Sequence, residues 1–354
     1  MQIEKLCDDA VEAIGSSNLQ CADPDVGLWH FQNPQRLLAS EKDGPGGGSG
    51  RSINSHNTNG SYNTTIDNSN RAVQNFHFYH FPTSPTDFLT YMHNMMQKLP
   101  AFTADYPTME AKARKFASNI NPALRDLHLA QPDTFNLTKV ALYDVIILCD
   151  DSGSMNLGNR NALLAETIDR ILPVATRLNE AGVSLRFINY NQDREFNDLT
   201  SQPQVAKTLR MVSPAGTTRI GTVLRHKIVK PILAKARANT LVSPVLVVIV
   251  TDGEPSREPL DTLKNTIISC KHDLDEITNA SGSAYGRSSV VFQLSHVGDN
   301  ADAEQFVHSL SVDPELEGMV YCNLKKLDEQ LASGSSATKN RSLLELLSVA
   351  INRS

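Results

Sequence analysis

The chain has 354 residues, room for two domains or for one domain with extensions at roughly 100–200 residues each. Its 40% hydrophobic and 20% charged fractions exclude wholesale disorder. Thirty-three basic against 39 acidic residues give a net charge of −6, without the basic footprint that neutralises phosphates in a nucleic-acid binder. The first residues, Met1 to Asp9, lack the basic start and apolar core of a secretory signal. The longest purely apolar run, Val245–Val250, has six residues against the roughly 20 that span a bilayer. Cys7, Cys21, Cys149, Cys270 and Cys322 are scattered, with no Cys-x-x-Cys spacing, and read as buried or free thiols of a reducing compartment. The expectation is a cytoplasmic protein with no membrane and no nucleic-acid partner.

In chain order, residues 1–38 form a short helical segment, because Ile3, Leu6, Ala10, Val11 and Ile14 fall at helical spacing. Residues 39–72 are dominated by Gly, Ser, Asn and Thr, starting from the run Gly44–Gly50. They lack the apolar surface to offset their chain entropy and read as a disordered linker. Residues 73–139 are an aromatic-rich helical extension. Thr86 or Asp87 can cap a helix whose Phe88, Tyr91, Met92, Met95 and Leu99 share one face, and a second helix covers Met109 to Ser118. This face reads as a brace for the rest of the chain, or as a helix that docks in a partner's groove. The alternation Phe76-His77-Phe78-Tyr79-His80-Phe81 reads as a strand or aromatic cluster, since two histidines without a nearby acid or thiol make a poor metal site.

Residues 140–354 alternate strands and helices. The strands are Val145–Cys149, Ser184–Ile188, Val245–Val250, Val290–Val297 and Met319–Cys322. Between and after them run helices over 161–180 (with Pro173 inside), 204–212, 222–238, 260–278, 303–310 and 343–351. Strands that are apolar on both faces and alternate with helices predict an α/β fold: a doubly wound, mostly parallel, Rossmann-like sheet with helices on both faces. Ligands of such sheets sit beyond the carboxyl ends of the strands.

Three segments occupy such positions. Asp150-Asp151-Ser152-Gly153-Ser154 follows the first strand, Gly216-Thr217-Thr218 opens a helix, and Thr251-Asp252-Gly253 follows the central strand. Alternation along an extended segment points Asp150, Ser152 and Ser154 the same way; Thr218 adds a hydroxyl and Asp252 a second carboxylate. Five hard oxygen donors suit Mg²⁺, with Mn²⁺ or Ca²⁺ as alternatives, and disfavour zinc. An ion held by two carboxylates and three hydroxyls stays electrophilic towards an acidic group from outside. Any one of these segments alone reads better as a helix cap or turn.

Together, in this order, they resemble the metal-ion-dependent adhesion site of von Willebrand factor type A (vWA) domains: Asp-x-Ser-x-Ser, a distant Thr, and a later Asp within Thr-Asp-Gly. The stretch Phe292–Gly298 looks like a strand of intracellular fungal members. The resemblance implies that Ser152 and Ser154 ligate the metal directly, Thr218 directly or through water, and Asp150 and Asp252 largely through water. One departure stands out: Thr217 replaces the middle glycine of the usual Gly-Gly-Thr loop. Thr218 is preferred because it lies three residues before Gly221, with Thr217 as its alternative.

The function these features predict is non-enzymatic capture of a partner protein's exposed Asp or Glu. A Mg²⁺-dependent phosphotransferase of haloacid-dehalogenase type is the enzymatic alternative, but it needs an acid at position 152, which is Ser. A scaffold that binds through residues 73–135 is the third reading. A serine hydrolase using His296 or His308 lacks the Gly-x-Ser-x-Gly elbow. Oligomeric state is not legible.

Overall fold

A computed structural model describes residues 81–102, 106–192, 196–332 and 334–353, with four short strands before them. Those strands form two antiparallel pairs, Leu19–Asp23 with Leu28–Phe31 and Thr64–Ile66 with Ala72–Gln74. The second pair touches the segment expected to lack structure. The helix expected over residues 2–14 and the cluster at 76–80 lie outside the described residues. Met1–His77 and Phe78–Ser354 are separate compact units, and everything below concerns the second.

Five strands build its sheet: β1 (Asp144–Cys149), β2 (Val183–Phe187), β3 (Val245–Thr251), β4 (Val290–His296) and β5 (Val320–Cys322). All neighbours are parallel, in the order β2-β1-β3-β4-β5. Every residue of β3 and β4 is buried, so the sheet is covered on both faces, as continuous apolar strands require. The fold is the expected α/β sheet, parallel throughout. Order reverses at β1: the chain steps outward to β2, then returns to β3 on the other side. The carboxyl ends of β1 and β3 therefore flank the switch point, where such sheets open a crevice.

Three helices precede the sheet: α1 (Pro85–Met96), α2 (Tyr106–Asp126) and α3 (Thr134–Val140). Then come α4 (Arg160–Thr176), α5 (Gln202–Met211) and α6, which runs from Ile220–Val223 through a π-helical turn, Leu224–Val229, into Lys230–Arg237. The last four are α7 (Thr262–Glu276), α8 (Ala301–Ser311), α9 (Leu327–Ala332) and α10 (Ser336–Arg353). Helices α3, α4, α9 and α10 pack on one another in one layer, and α6 and α7 pair in another.

The cap of α1 differs from expectation. Pro85 at the first helical position has no N–H to satisfy, so the cap moves back to Ser84. The Ser84 hydroxyl accepts from Asp87 N at 3.2 Å and the Asp87 carboxylate accepts from Ser84 N at 3.0 Å. The apolar face of α1 is turned inward: Phe88 and Met92 are buried, and the Phe88 ring meets Phe116 of α2 edge-on, centroids 6.1 Å apart. Phe102 packs on Tyr285, which precedes β4, and Asn279 donates to the Ala101 carbonyl at 3.1 Å. Lys115 pairs with Glu180 and Asp126 with Arg177, both just ahead of β2. Helices α1 and α2 thus brace the amino edge of the sheet and share one hydrophobic core with it. Cys149, Cys270 and Cys322 are free and buried; the side chains of Cys7 and Cys21 lie outside the described residues.

Candidate metal centre

Polar side chains gather at the opposite, carboxyl edge. Asp150 stands one residue past β1 and Asp252 one past β3, held side by side because Asp150 N continues the ladder to the Val250 carbonyl at 2.9 Å. The Asp150 carboxylate faces inward, accepting from Ser152 N at 2.8 Å and from the Thr251 hydroxyl at 2.6 Å. Burial pushes its pKa up to about 6; the Thr251 and Ser152 hydrogen bonds pull the other way and the charge of Asp252 adds to the rise.

Ser152, Ser154 and Asp252 form a chain of oxygens. Ser154 Oγ donates to Asp252 Oδ1 at 2.9 Å, so the hydrogen in the 3.1 Å contact between the two serines comes from Ser152. Ligands at 2.0–2.1 Å from an octahedral Mg²⁺ are about 3 Å apart along each edge of the octahedron. Both contacts match that edge, and the donors are hard oxygens, so these residues fit the ion that the sequence pattern implies. Among the described residues no group of three or more His, Cys, Asp and Glu side chains is placed to hold a metal, so an ion here would rest largely on hydroxyls.

Thr218 lies apart from that chain. Its loop docks on the first one through Ala215 N to the Asp151 carbonyl at 2.7 Å and Gly153 N to the Gly216 carbonyl at 3.2 Å. Gly216 has φ +89°, and a Cβ there would come within 2.6 Å of Asn189 Oδ1. Thr218 is buried, with its N–H donating to Ser256 Oγ at 2.9 Å and its carbonyl accepting from Ser256 N at 2.8 Å. Its hydroxyl has no hydrogen-bond partner among the described residues. Thr217 is half-buried, and its carbonyl accepts from Asn189 Nδ2 at 3.0 Å. Thr218 is thus the hydroxyl left available, although it makes no hydrogen bond to Asp150, Ser152, Ser154 or Asp252.

Asp151, beside the motif, reads from sequence as a solvated or loop-bonded acid rather than a ligand, and it is a buried loop anchor, accepting from Asn189 N at 2.7 Å and Tyr190 N at 2.9 Å. Other contributors escaped the sequence reading. Glu258 accepts from the N–H groups of Gly221 and Thr222, both at 2.8 Å, at the start of α6. Glu254 is exposed. Most consequential is Arg160, the first residue of α4. Its Nη1 donates to Asp252 Oδ2 at 2.8 Å and its Nη2 to Asp299 Oδ1 at 3.2 Å. A cation at a helix N-terminus opposes the macrodipole, and that misplaced charge was the signal in the sequence. His296 is buried on β4 with both ring nitrogens lacking partners among the described residues, and joins none of these groups.

Residues 142–272 match the model of a family described as vWA-TerF-like, a vWA found in the C terminus of TerF. The match supports a vWA-type domain. Such domains are generally non-enzymatic protein-interaction modules. The matched span contains β1, β2, β3 and all five expected donors of the vWA-type site, while β4 and β5 complete the sheet beyond it. No curated protein matches the chain. No helix among the described residues is long and apolar enough to cross a membrane.

Proposed function

We propose that this chain is a non-enzymatic adhesion module whose carboxyl edge captures an Asp or Glu side chain of a partner protein through a bound Mg²⁺. The observation that carries the reading is the pair of oxygen contacts, Ser152 to Ser154 at 3.1 Å and Ser154 to Asp252 at 2.9 Å, at the switch point of the sheet. Ser152, Ser154, Thr218 and the carboxylates of Asp150 and Asp252 would hold the ion, which when bound supplies an electrophilic position for an acidic oxygen. The residues themselves do the orienting: Thr251 and Ser152 fix Asp150, and Ser256 fixes Thr218.

The surroundings suit a docking face. Leu157, Leu260 and Leu324 are exposed large hydrophobics, and all three lie in loops that leave the carboxyl edge. The same geometry disfavours phosphoryl transfer. Both oxygens of Asp150 already accept hydrogen bonds and face inward, unlike a nucleophile awaiting substrate. Binding through residues 73–135 alone is disfavoured too, because the apolar face of α1 is buried in the shared core.

The test is thermal unfolding of the full chain with millimolar Mg²⁺ against EDTA, beside Asp252→Ala. An ion at a hundredfold excess over its dissociation constant adds about 2.7 kcal/mol. For a unit of this size that is a rise in Tm of roughly 5–10 °C. The rise is expected in the native chain and absent from Asp252→Ala. No rise at saturating Mg²⁺ or Mn²⁺ would refute the metal reading.

A further inference from the structure

Resting on that reading, we infer that Arg160 is an internal cation that competes with the divalent ion for Asp252 and thereby sets the affinity of the site. Three independent features place it there. The guanidinium bridges a fully buried carboxylate and an open one: Nη1 lies 2.8 Å from Asp252 Oδ2, and Nη2 lies 3.2 Å from Asp299 Oδ1, a side chain 94% exposed. Nη1 also approaches the carbonyl of Ser154, a second residue of the oxygen chain, at 3.5 Å. The path of the side chain is built for it: Gly298 has φ +83°, and a Cβ there would lie 2.5 Å from Arg160 Nε and 3.2 Å from both Cδ and Cζ. Asp328 of α9 fixes that glycine from behind, accepting from Gly298 N at 2.7 Å.

The consequence is electrostatic. Asp252 presents Oδ1 to the oxygen chain and Oδ2 to Arg160. A unit positive charge on one oxygen of a carboxylate lowers the attraction of the other for a divalent cation, and in a site shielded from water this effect is large. Asp299, already bonded to Nη2 at 3.2 Å, would remain an anionic partner at the surface if Nη1 left Asp252. The inward position seen here neutralises Asp252, and an outward one that keeps only Asp299 would release it. A cation at the first position of a helix is unfavourable by itself, so the inward position is held by Asp252 and by the space over Gly298.

The experiment is Mn²⁺ binding to the full chain, read from the loss of the free aquo-ion signal in electron paramagnetic resonance, at fixed ionic strength. Arg160→Gln removes the charge and leaves a shorter, neutral amide, and should bind Mn²⁺ at least about tenfold more tightly than the native chain. Arg160→Lys keeps the charge and should stay within about threefold of native. Gly298→Ala displaces the side chain without altering its chemistry, and should move affinity in the direction of Arg160→Gln. Unchanged or weaker binding in folded Arg160→Gln overturns the inference, weaker binding meaning that Arg160 positions Asp252 for the ion. If Arg160→Gln does not fold, Gly298→Ala binding no tighter than native overturns it as well. Asp252→Ala, alone and combined with Arg160→Gln, separates the two ideas. Binding that is lost with Asp252 but indifferent to Arg160 refutes competition alone. Absence of Asp252-dependent binding in every variant refutes the metal site itself.

Discussion

The two edges of the one sheet are built from opposite materials. At the amino edge, α1 and α2 pack through rings, Phe88 on Phe116, and Phe102 between them packs on Tyr285 ahead of β4. At the carboxyl edge, Asp150, Asp151, Ser152, Thr218, Thr251 and Asp252 are all buried and polar. Buried polar groups contribute little net stability, and each demands a partner. An edge rich in them is placed for chemistry, while the braced edge supplies the stability that such a site does not. The difference teaches where to mutate for each effect.

The largest effect should come from the brace. Phe116 is fully buried, and Phe116→Ala removes a ring from a packed interior, costing about 3–5 kcal/mol in urea unfolding. Mn²⁺ affinity of the folded variant should stay within about threefold of native, since the ring packs on Phe88 of α1 and not on the polar edge's oxygen chain. An affinity that fell with stability would break the division between the edges.

Next in size is a pH effect at the same edge. Lys271 of α7 is fully buried, its Nζ donating to the carbonyls of Arg287 at 2.7 Å and of Val290, the first residue of β4, at 2.5 Å. Burial lowers its pKa to about 8 from 10.5, despite the opposing influence of the Cys270 and Asp275 groups beside it; Arg287 adds to the fall. Because the folded value is the lower one, the unfolded chain binds the extra proton between about pH 8 and 10.5. Stability therefore rises with pH across that window. Relative to Lys271→Met, the native chain should gain about 2.5 kcal/mol as pH climbs from 7 to 10. Urea unfolding at each pH reads the difference; a flat difference would mean that Lys271 is not titrating in the buried state.

The contrast also explains what was legible in the sequence. Strands β1 and β3 were read to within one residue at either end, because continuous apolar runs that stop at acids leave little choice of boundary. Four of the five expected donor positions follow from those strand ends, and Thr218 from the loop that opens α6. Helix α3 was missed: Thr-Phe-Asn-Leu-Thr-Lys-Val has weak helix formers and no cap, and its helix exists by packing against α10. The first turns of α10 were missed for a related reason. Ser336 to Ser342 carry no apolar period, and tertiary bonds hold them, from Asn340 to the Leu127 carbonyl at 2.9 Å and from Arg341 to Asp133 at 3.0 Å. The partners of Arg160 were hidden likewise, since they lie 92 and 139 residues further along the chain. Local pattern finds elements and motifs; what joins distant segments requires the fold.

The smallest prediction tests whether the brace is one body with the sheet. Ser84→Ala deletes the hydroxyl that accepts from Asp87 N, while the reciprocal bond from Ser84 N to the Asp87 carboxylate survives. Loss of a serine cap costs about 1 kcal/mol when the helix unfolds with the rest of the domain. If α1 frays independently, the same loss appears in hydrogen exchange of α1 amides and leaves the global transition unmoved. The shared core around Phe88, Met92 and Phe116 favours the first outcome, a shift of about 1 kcal/mol in global unfolding with the slope on urea unchanged. An unmoved transition would mean that the amino-edge helices cover the sheet without stabilising it. The polar edge would then draw its support from the layers of α4, α6, α7 and α10 alone.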